Sequence, residues 1–535
     1  MAAAGAASLV RPAAGLAGML DPATSVSSRW VGTLSGASSP IAAPRRFALA
    51  GVEWAAPRGA RIELRARTLS GRWTPWALAS STGHDADAER TAAALFGEPL
   101  WTGPADQVEL RTDTPVRDVR LHFVTPPSPP AARAASGLPL ARPLLDAGPG
   151  QPPIIAREVW AQGQAPPSAG PFYGTIKVAF VHHTVNPNGY SAAAVPSLLL
   201  GIFQYHRYVR GYFDIAYNFL VDEYGRVWEG RAGGIDSPVR GAHAGAYNAE
   251  STGVAVLGDF TNVVPTAAAI DALERLLAWK MSLHGRPTYG RATVVVDPSD
   301  AFYTPFAPGA HVSLPRVAGH RDGDQTDCPG NAFYARLPSI RPRVTALAGT
   351  PARLSLSIAE EVAIAERPVT ASGRLHPLGH TRGLAGEAVE VQRIHGAKRL
   401  TLASAATSAD GSWNAEVAPS VNVLLRALHR SHPAVVTDWV ALDVAPNIAL
   451  EVASASPLAV SGTVKPRKDH VTVELHRGSR VTGKLVRTRR LRVSAGRFAG
   501  TIRAPGPGAY TLIARSAEDG DNVAGASAPV HVTIT

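Results

Sequence analysis

Hydrophobic and polar positions change their pattern twice along this chain, near residues 154 and 349, and each change marks a different kind of unit. Residues 61–67 and 116–123 alternate apolar and polar with turn residues between them, which predicts half-buried strands from about 46 to 125. Past residue 154 the pattern becomes mixed. Residues 176–181 are a short apolar run, the length of a buried strand, delivering His182 at its end. Residues 191–208 carry helical periodicity, with Pro196 in the first turn and Gly211 beyond the last. Residues 217–221 and 226–229 read as a hairpin, and 253–257 as another buried strand. Thr266 then caps a helix with the apolar stripe Ile270, Leu273, Leu276 and Leu277, leaving Asp271, Glu274 and Arg275 outside. From residue 349 the two-residue period returns, and it repeats. Residues 369–375 resemble 458–464, and 411–419 resemble 496–505, offsets of 89 and 85 residues.

These periods predict a multidomain chain: a central α/β domain, a mixed sheet flanked by helices, between all-β flanks. The expected boundaries are an N-terminal segment (1–25), a β-sandwich-like domain (26–125), a Pro/Ala-rich linker (126–153), the α/β domain (154–348), and two immunoglobulin-like β-sandwiches (349–445 and 446–535). Trp54, Trp73, Trp76 and Trp101 gather in the front domain and read as core aromatics, with sugar stacking as the alternative. At 535 residues the chain exceeds what one core supports, and no apolar run reaches 18 residues, so no membrane span is expected. Residues 1–20 make an unconvincing export signal because Arg11 stands where an apolar centre belongs.

Charge narrows the partners. A net +11 favours an anionic partner such as nucleic acid, acidic lipid or a wall polymer. No zinc-finger spacing or other nucleic-acid motif accompanies the basic residues, so nucleic acid is set aside.

The chemistry centres on the single cysteine, Cys328, eight residues after His320. A lone cysteine alone would read as a small buried hydrophobe. Beside His320 and the pair His182-His183 it reads as a zinc site of two imidazoles and a thiolate, with a fourth position left for water. The candidates are His182, His320 and Cys328. His183 competes with His182, because neighbours on a strand point to opposite faces and only one can face the metal. A hydrolase of this kind also needs a donor for the developing oxyanion; Tyr217 offers a phenol and Thr326 a hydroxyl, roles that spacing alone does not assign, with a core tyrosine as the alternative for Tyr217. His206 reads as a packing residue, and His243, in a glycine-lined loop, as a substrate contact.

Several ordered motifs now combine: Val181-His182-His183-Thr184, Asp214-Ile215-Ala216-Tyr217-Asn218, Trp228-Glu229-Gly230-Arg231, Gly241-Ala242-His243-Ala244-Gly245, Tyr247-Asn248, Gly319-His320-Arg321-Asp322 and Asp327-Cys328-Pro329-Gly330. Through them residues 154–345 resemble the peptidoglycan recognition protein family, which includes zinc N-acetylmuramoyl-L-alanine amidases. The resemblance implies zinc on His182, His320 and Cys328, an active-site tyrosine at Tyr217, and a peptide groove lined by Thr184, Arg231, His243 and Asn248. It implies hydrolysis of the amide joining muramic acid to L-alanine. Phage members carry lysine two residues before the cysteine; here Thr326 stands there, which leaves the general base open. Members that bind without cutting typically lack the cysteine or the first histidine, and both are present. The expected partners are peptidoglycan and, through the β domains, other anionic wall glycans. The expected location is secreted or wall-associated.

Overall fold

The computed structural model describes residues 26–57, 59–79, 94–125, 150–395, 398–431, 433–480 and 482–535. The export-signal reading and most of the linker reading fall outside these residues.

The first unit is a six-stranded sheet built around the long strand Leu100–Val124, which pairs with Val26–Ala37, Ile41–Trp54 and Ile62–Thr68. The alternation at 62–68 is obeyed: Ile62, Leu64 and Ala66 are buried, while Arg65 and Arg67 reach Glu109 and Asp106 across the strand pair. Only Trp54 among the four tryptophans is a core residue. Trp73 and Trp76 are half-buried under the guanidinium groups of Arg65 and Arg111, at 4.9, 4.7 and 4.5 Å from the ring centres.

The central unit is a mixed six-stranded sheet. Its strands are β1 (Ile154–Ile155), β2 (Val178–His183), β3 (Phe219–Val221), β4 (Val227–Glu229), β5 (Ser251–Val256) and β6 (Val317–Gly319), in the order β6-β2-β5-β3-β4-β1. β2 is parallel to both neighbours, and all six of its residues are buried, an apolar run that ends in the two histidines. β3 and β4 form the expected antiparallel hairpin. Helices α1 (Arg157–Ala161), α2 (Val195–Gln204), α3 (Ala267–Leu283) and α4 (Leu337–Ala348) flank it. The helix predicted from residue 191 begins at Val195, with Pro196 in its first turn, and passes into a π turn at Tyr205–Val209. Thr266 caps α3 by accepting from the amide of Ala269 at 3.1 Å. Glu274 departs from expectation: it is buried, with the guanidinium of Arg343 on α4 3.9 Å away. An amphipathic stripe assumes one covered face, and α4 covers part of a second.

Two all-β units follow, each of two sheets. In the first, Val369–Pro377 pairs with Ser412–Val417; in the second, Leu458–Lys465 pairs with Arg497–Thr501. These are the repeated sequence segments, and they pair in the same register, with Gly373 opposite Trp413 and Gly462 opposite Phe498. The glycine leaves room for the ring, since a Cβ at Gly462 would lie 2.3 Å from Phe498.

The units are packed together. Leu428 and Val436 of the first C-terminal unit join the apolar core under α3. Leu49, Phe96 and Val124 of the front unit join the cluster around α2. Gly51 lies so close to Tyr205 that a Cβ would meet its ring at 2.2 Å. Gly51→Ala is therefore expected to lower the unfolding free energy by about 1–3 kcal/mol through overpacking. Denaturant unfolding checks this, and an unchanged midpoint would mean that the contact is slack.

Candidate metal centre

The site lies at the carboxyl ends of β2 and β6, where a parallel sheet of this kind gathers side chains. His182 and His183 end β2 and point to opposite faces. His183 turns to the core, where its Nδ1 accepts from the amide of Phe260 at 3.3 Å. His182 turns to the other face. Gly319 ends β6 and leads directly into the short turn His320–Asp322, so His320 arrives beside His182 with ring centres 4.5 Å apart.

Cys328 returns on the next loop. Its carbonyl accepts from the amide of Arg321 at 3.1 Å, and its amide donates to Thr326 Oγ1 at 3.2 Å. Its sulfur accepts from the His183 amide at 3.4 Å and lies 3.7 Å from His182 Nδ1. Gly330 completes the loop at φ 93, where a Cβ would lie 2.4 Å from the backbone of Phe260.

The ligand atoms of His182, His320 and Cys328 lie within 4.8 Å of one another, and all three residues are buried. Tetrahedral zinc, with bonds of about 2.0 Å to nitrogen and 2.3 Å to sulfur, separates such a donor pair by roughly 3.5 Å. The 3.7 Å between sulfur and Nδ1 matches that span, and an N₂S donor set suits zinc. Both imidazoles are held from behind. His320 Nε2 is 3.0 Å from Asp324 Oδ2, and His182 Nε2 is 3.2 Å from His243 Nδ1. Partners of this kind fix the ring orientation of metal-binding histidines. Burial pushes the Cys328 thiol well above its usual range, so metal uptake there must displace a proton.

Tyr217 stands beside the cluster, its ring 5.4 Å from that of His182 and its hydroxyl 3.5 Å from Glu98 Oε2. Burial, and then Glu98, hold its phenol far above the ordinary range, so it stays protonated as a donor. Thr326 is half-buried at the loop holding Cys328. The four residues assigned to a groove are all buried. Thr184 Oγ1 accepts from the amide of Gly258 at 3.1 Å, tying the end of β2 to that of β5. Asn248 Oδ1 accepts from the amides of His243 and Ala244 at 2.8 and 3.1 Å. His243 is itself nested where a Cβ at Gly241 or Gly253 would meet its ring at 2.3 or 2.4 Å. Arg231 follows β4, its amide donating to the carbonyl of Tyr217 at 2.9 Å. His243 and Asn248 thus stand behind His182.

A family described as N-acetylmuramoyl-L-alanine amidase matches residues 172–331, and one described as Rv3811 N-terminal galactose-binding domain-like matches 14–137. Peptidoglycan-recognition protein 1 of Holotrichia diomphalia is 33% identical over 132 residues, covering 25% of this chain and 64% of that protein. Peptidoglycan-recognition protein SC2 of Drosophila melanogaster is 32% identical over 184 residues, covering 34% of this chain and 84% of that protein.

The chain belongs to the peptidoglycan recognition protein family.

A solved structure of Drosophila PGRP-LB is 25% identical and covers 35% of this chain and 92% of that one, with a TM-score of 0.28. In this family member three residues near the cluster escaped the sequence reading. Asp324 lay in the histidine motif itself, four residues after His320, a spacing that places a carboxylate beside the ring once the loop folds back. Arg210 and Glu98 carried no local signal: Glu98 is 119 residues from Tyr217 and belongs to the front unit.

Proposed function

We propose that this protein is a zinc-dependent amidase that hydrolyses the bond between N-acetylmuramic acid and L-alanine in peptidoglycan. One observation carries the reading: His182, His320 and Cys328 converge from three segments, their ligand atoms within 4.8 Å. These residues would hold the ion, with Asp324 and His243 orienting the two imidazoles. Zinc bound there supplies a Lewis acid and water of lowered pKa. Tyr217, kept as a phenol, donates a hydrogen bond to the scissile carbonyl oxygen as negative charge develops on it. Thr326 offers a second hydroxyl beside Cys328. Thr184 and Arg231 shape the wall against which the stem peptide lies, while His243 and Asn248 back His182.

The flanks serve the same substrate. The C-terminal units are immunoglobulin-like spacers, and the edge strand Leu485–Arg492, with Arg487, Arg489, Arg490 and Arg492 exposed, attracts anionic wall glycans. The substrate places the protein outside the cell or at the wall. Among the described residues no helix is long and apolar enough to cross a membrane. A second reading, a wall receptor without turnover, draws on the burial of Tyr217, 1% exposed, and Cys328, 3% exposed.

Purified sacculi separate the two readings. The amidase releases stem peptides with a free N-terminal alanine, and a chelator stops it until zinc is restored. Sacculus binding with no new alanine terminus, in zinc-loaded protein, would leave the receptor.

A further inference from the structure

The front unit reaches into the metal centre. Glu98 lies in the three-residue connection between strands Leu95–Phe96 and Leu100–Val124, and it is only 3% exposed. One carboxylate oxygen is 3.5 Å from the hydroxyl of Tyr217, and the other is 3.7 Å from Nη1 of Arg210. Arg210 follows the π turn at the end of α2 and is 4% exposed. A carboxylate this deep needs a counter-charge, and Arg210 provides it.

The connection is pinned on both sides. The amide of Gly97 donates to the carbonyl of Val52 at 2.9 Å, and its carbonyl accepts from the hydroxyl of Tyr205 at 3.1 Å. Tyr205 is in turn packed on Gly51, and Leu49, Phe96 and Val124 share an apolar cluster with Leu198 and Phe203 of α2. In return Val185, just past β2, enters the apolar core of the front unit. Units that move apart meet through small, polar surfaces; this contact is apolar and interlocked.

We propose that Glu98 is a positioning residue of the amidase site, supplied by the front unit, which orients the phenol of Tyr217 with Arg210 as its counter-charge. The inference rests on the amidase reading. Before substrate binds, Glu98 accepts the one phenol hydrogen and so fixes the position of the ring and its hydroxyl; that hydrogen turns to the carbonyl oxygen as negative charge develops there. A 3.5 Å separation makes Glu98 a weak acceptor, able to hold the hydroxyl in place and yet release its hydrogen to substrate. The central domain therefore does not carry its site alone: the phenol that faces substrate is set by a separate unit of the chain.

The test uses full-length protein and a soluble muropeptide. Glu98→Ala is expected to lower kcat by about 10- to 100-fold, the scale of a misplaced catalytic group, with KM altered less than about threefold. Glu98→Gln, which keeps an acceptor oxygen, should recover a large part of that loss. Adding Glu98→Ala to Tyr217→Phe should cost nothing further. In parallel, thermal unfolding of the metal-free single and double variants should show non-additive shifts, which requires no turnover. Unchanged kcat in Glu98→Ala overturns the proposal, and so does a faster rate, which would mean that the segment occludes the site. If the wild type proves inactive, the amidase reading fails on its own, and additive thermal shifts would then overturn the contact as well.

Discussion

Cys328→Ser is expected to abolish zinc retention and to reduce muropeptide release by about a thousandfold or more, the scale of losing a Lewis acid worth several kcal/mol. The substitution is nearly isosteric. Oxygen can still accept from the His183 amide that now donates to sulfur at 3.4 Å, so the loop should keep its shape. What disappears is the soft donor beside His182 Nδ1, the third corner of the cluster. Native mass spectrometry of the protein reads the metal, and chromatography of digested sacculi reads the product. Full activity in this variant would remove the metal from the mechanism.

The largest stability effect is expected at the junction between the central unit and the first C-terminal unit. Arg426, fully buried, forms a 2.9 Å ion pair with Asp236 and lies 4.8 Å over the ring of Trp439, while its Nε faces Gln392 Oε1 at 3.3 Å. Lys280 closes the cluster from α3 by donating to the carbonyls of Ile235 and Ser237 at 2.7 and 2.9 Å. Burial works to raise the pKa of Asp236, but Arg426 and Arg399 outweigh it and hold the carboxyl below its usual range. Arg426→Ala removes the main partner of that buried charge, leaving Arg399 and Lys280, and should cost about 3 kcal/mol in denaturant unfolding. The double change Arg426→Met with Asp236→Leu should restore only part of it, because the apolar pair avoids the desolvation cost but leaves Lys280 and Arg399 without their anion. Because the folded value of Asp236 is depressed, its contribution is present above about pH 4 and lost as pH falls through the folded value. A single variant as stable as the wild type would mean that the network contributes nothing.

The convergence of His182, His320 and Cys328 was legible because these residues sit where local rules apply. Strand alternation separated His182 from His183, and the loop from His320 to Cys328 is short enough for its spacing to carry meaning. The repeated segments at the C-terminus pointed to two similar units; that they form the same strand pair in each, glycine facing aromatic, came only with the structure. What escaped is long-range. Glu98 has no periodic or motif signal, since its meaning arises only when one unit folds against another. Glu274 was misplaced because a helical stripe says nothing of a second helix laid across its flank. His243 and Asn248 lie in the motif that resembles the family, yet they brace His182 from behind, a distinction that only three dimensions make.

The sole thiol of the chain has a further consequence. Because Cys328 is the one sulfhydryl in 535 residues, oxidation cannot end in an internal disulfide. An oxidant that reaches it must carry the sulfur up the sulfenic-to-sulfonic ladder or bind it to another molecule. Burial slows that attack, and a bound cation would mask the sulfur further, so the rate of labelling by an alkylating reagent with and without added zinc tests whether a cation sits on Cys328.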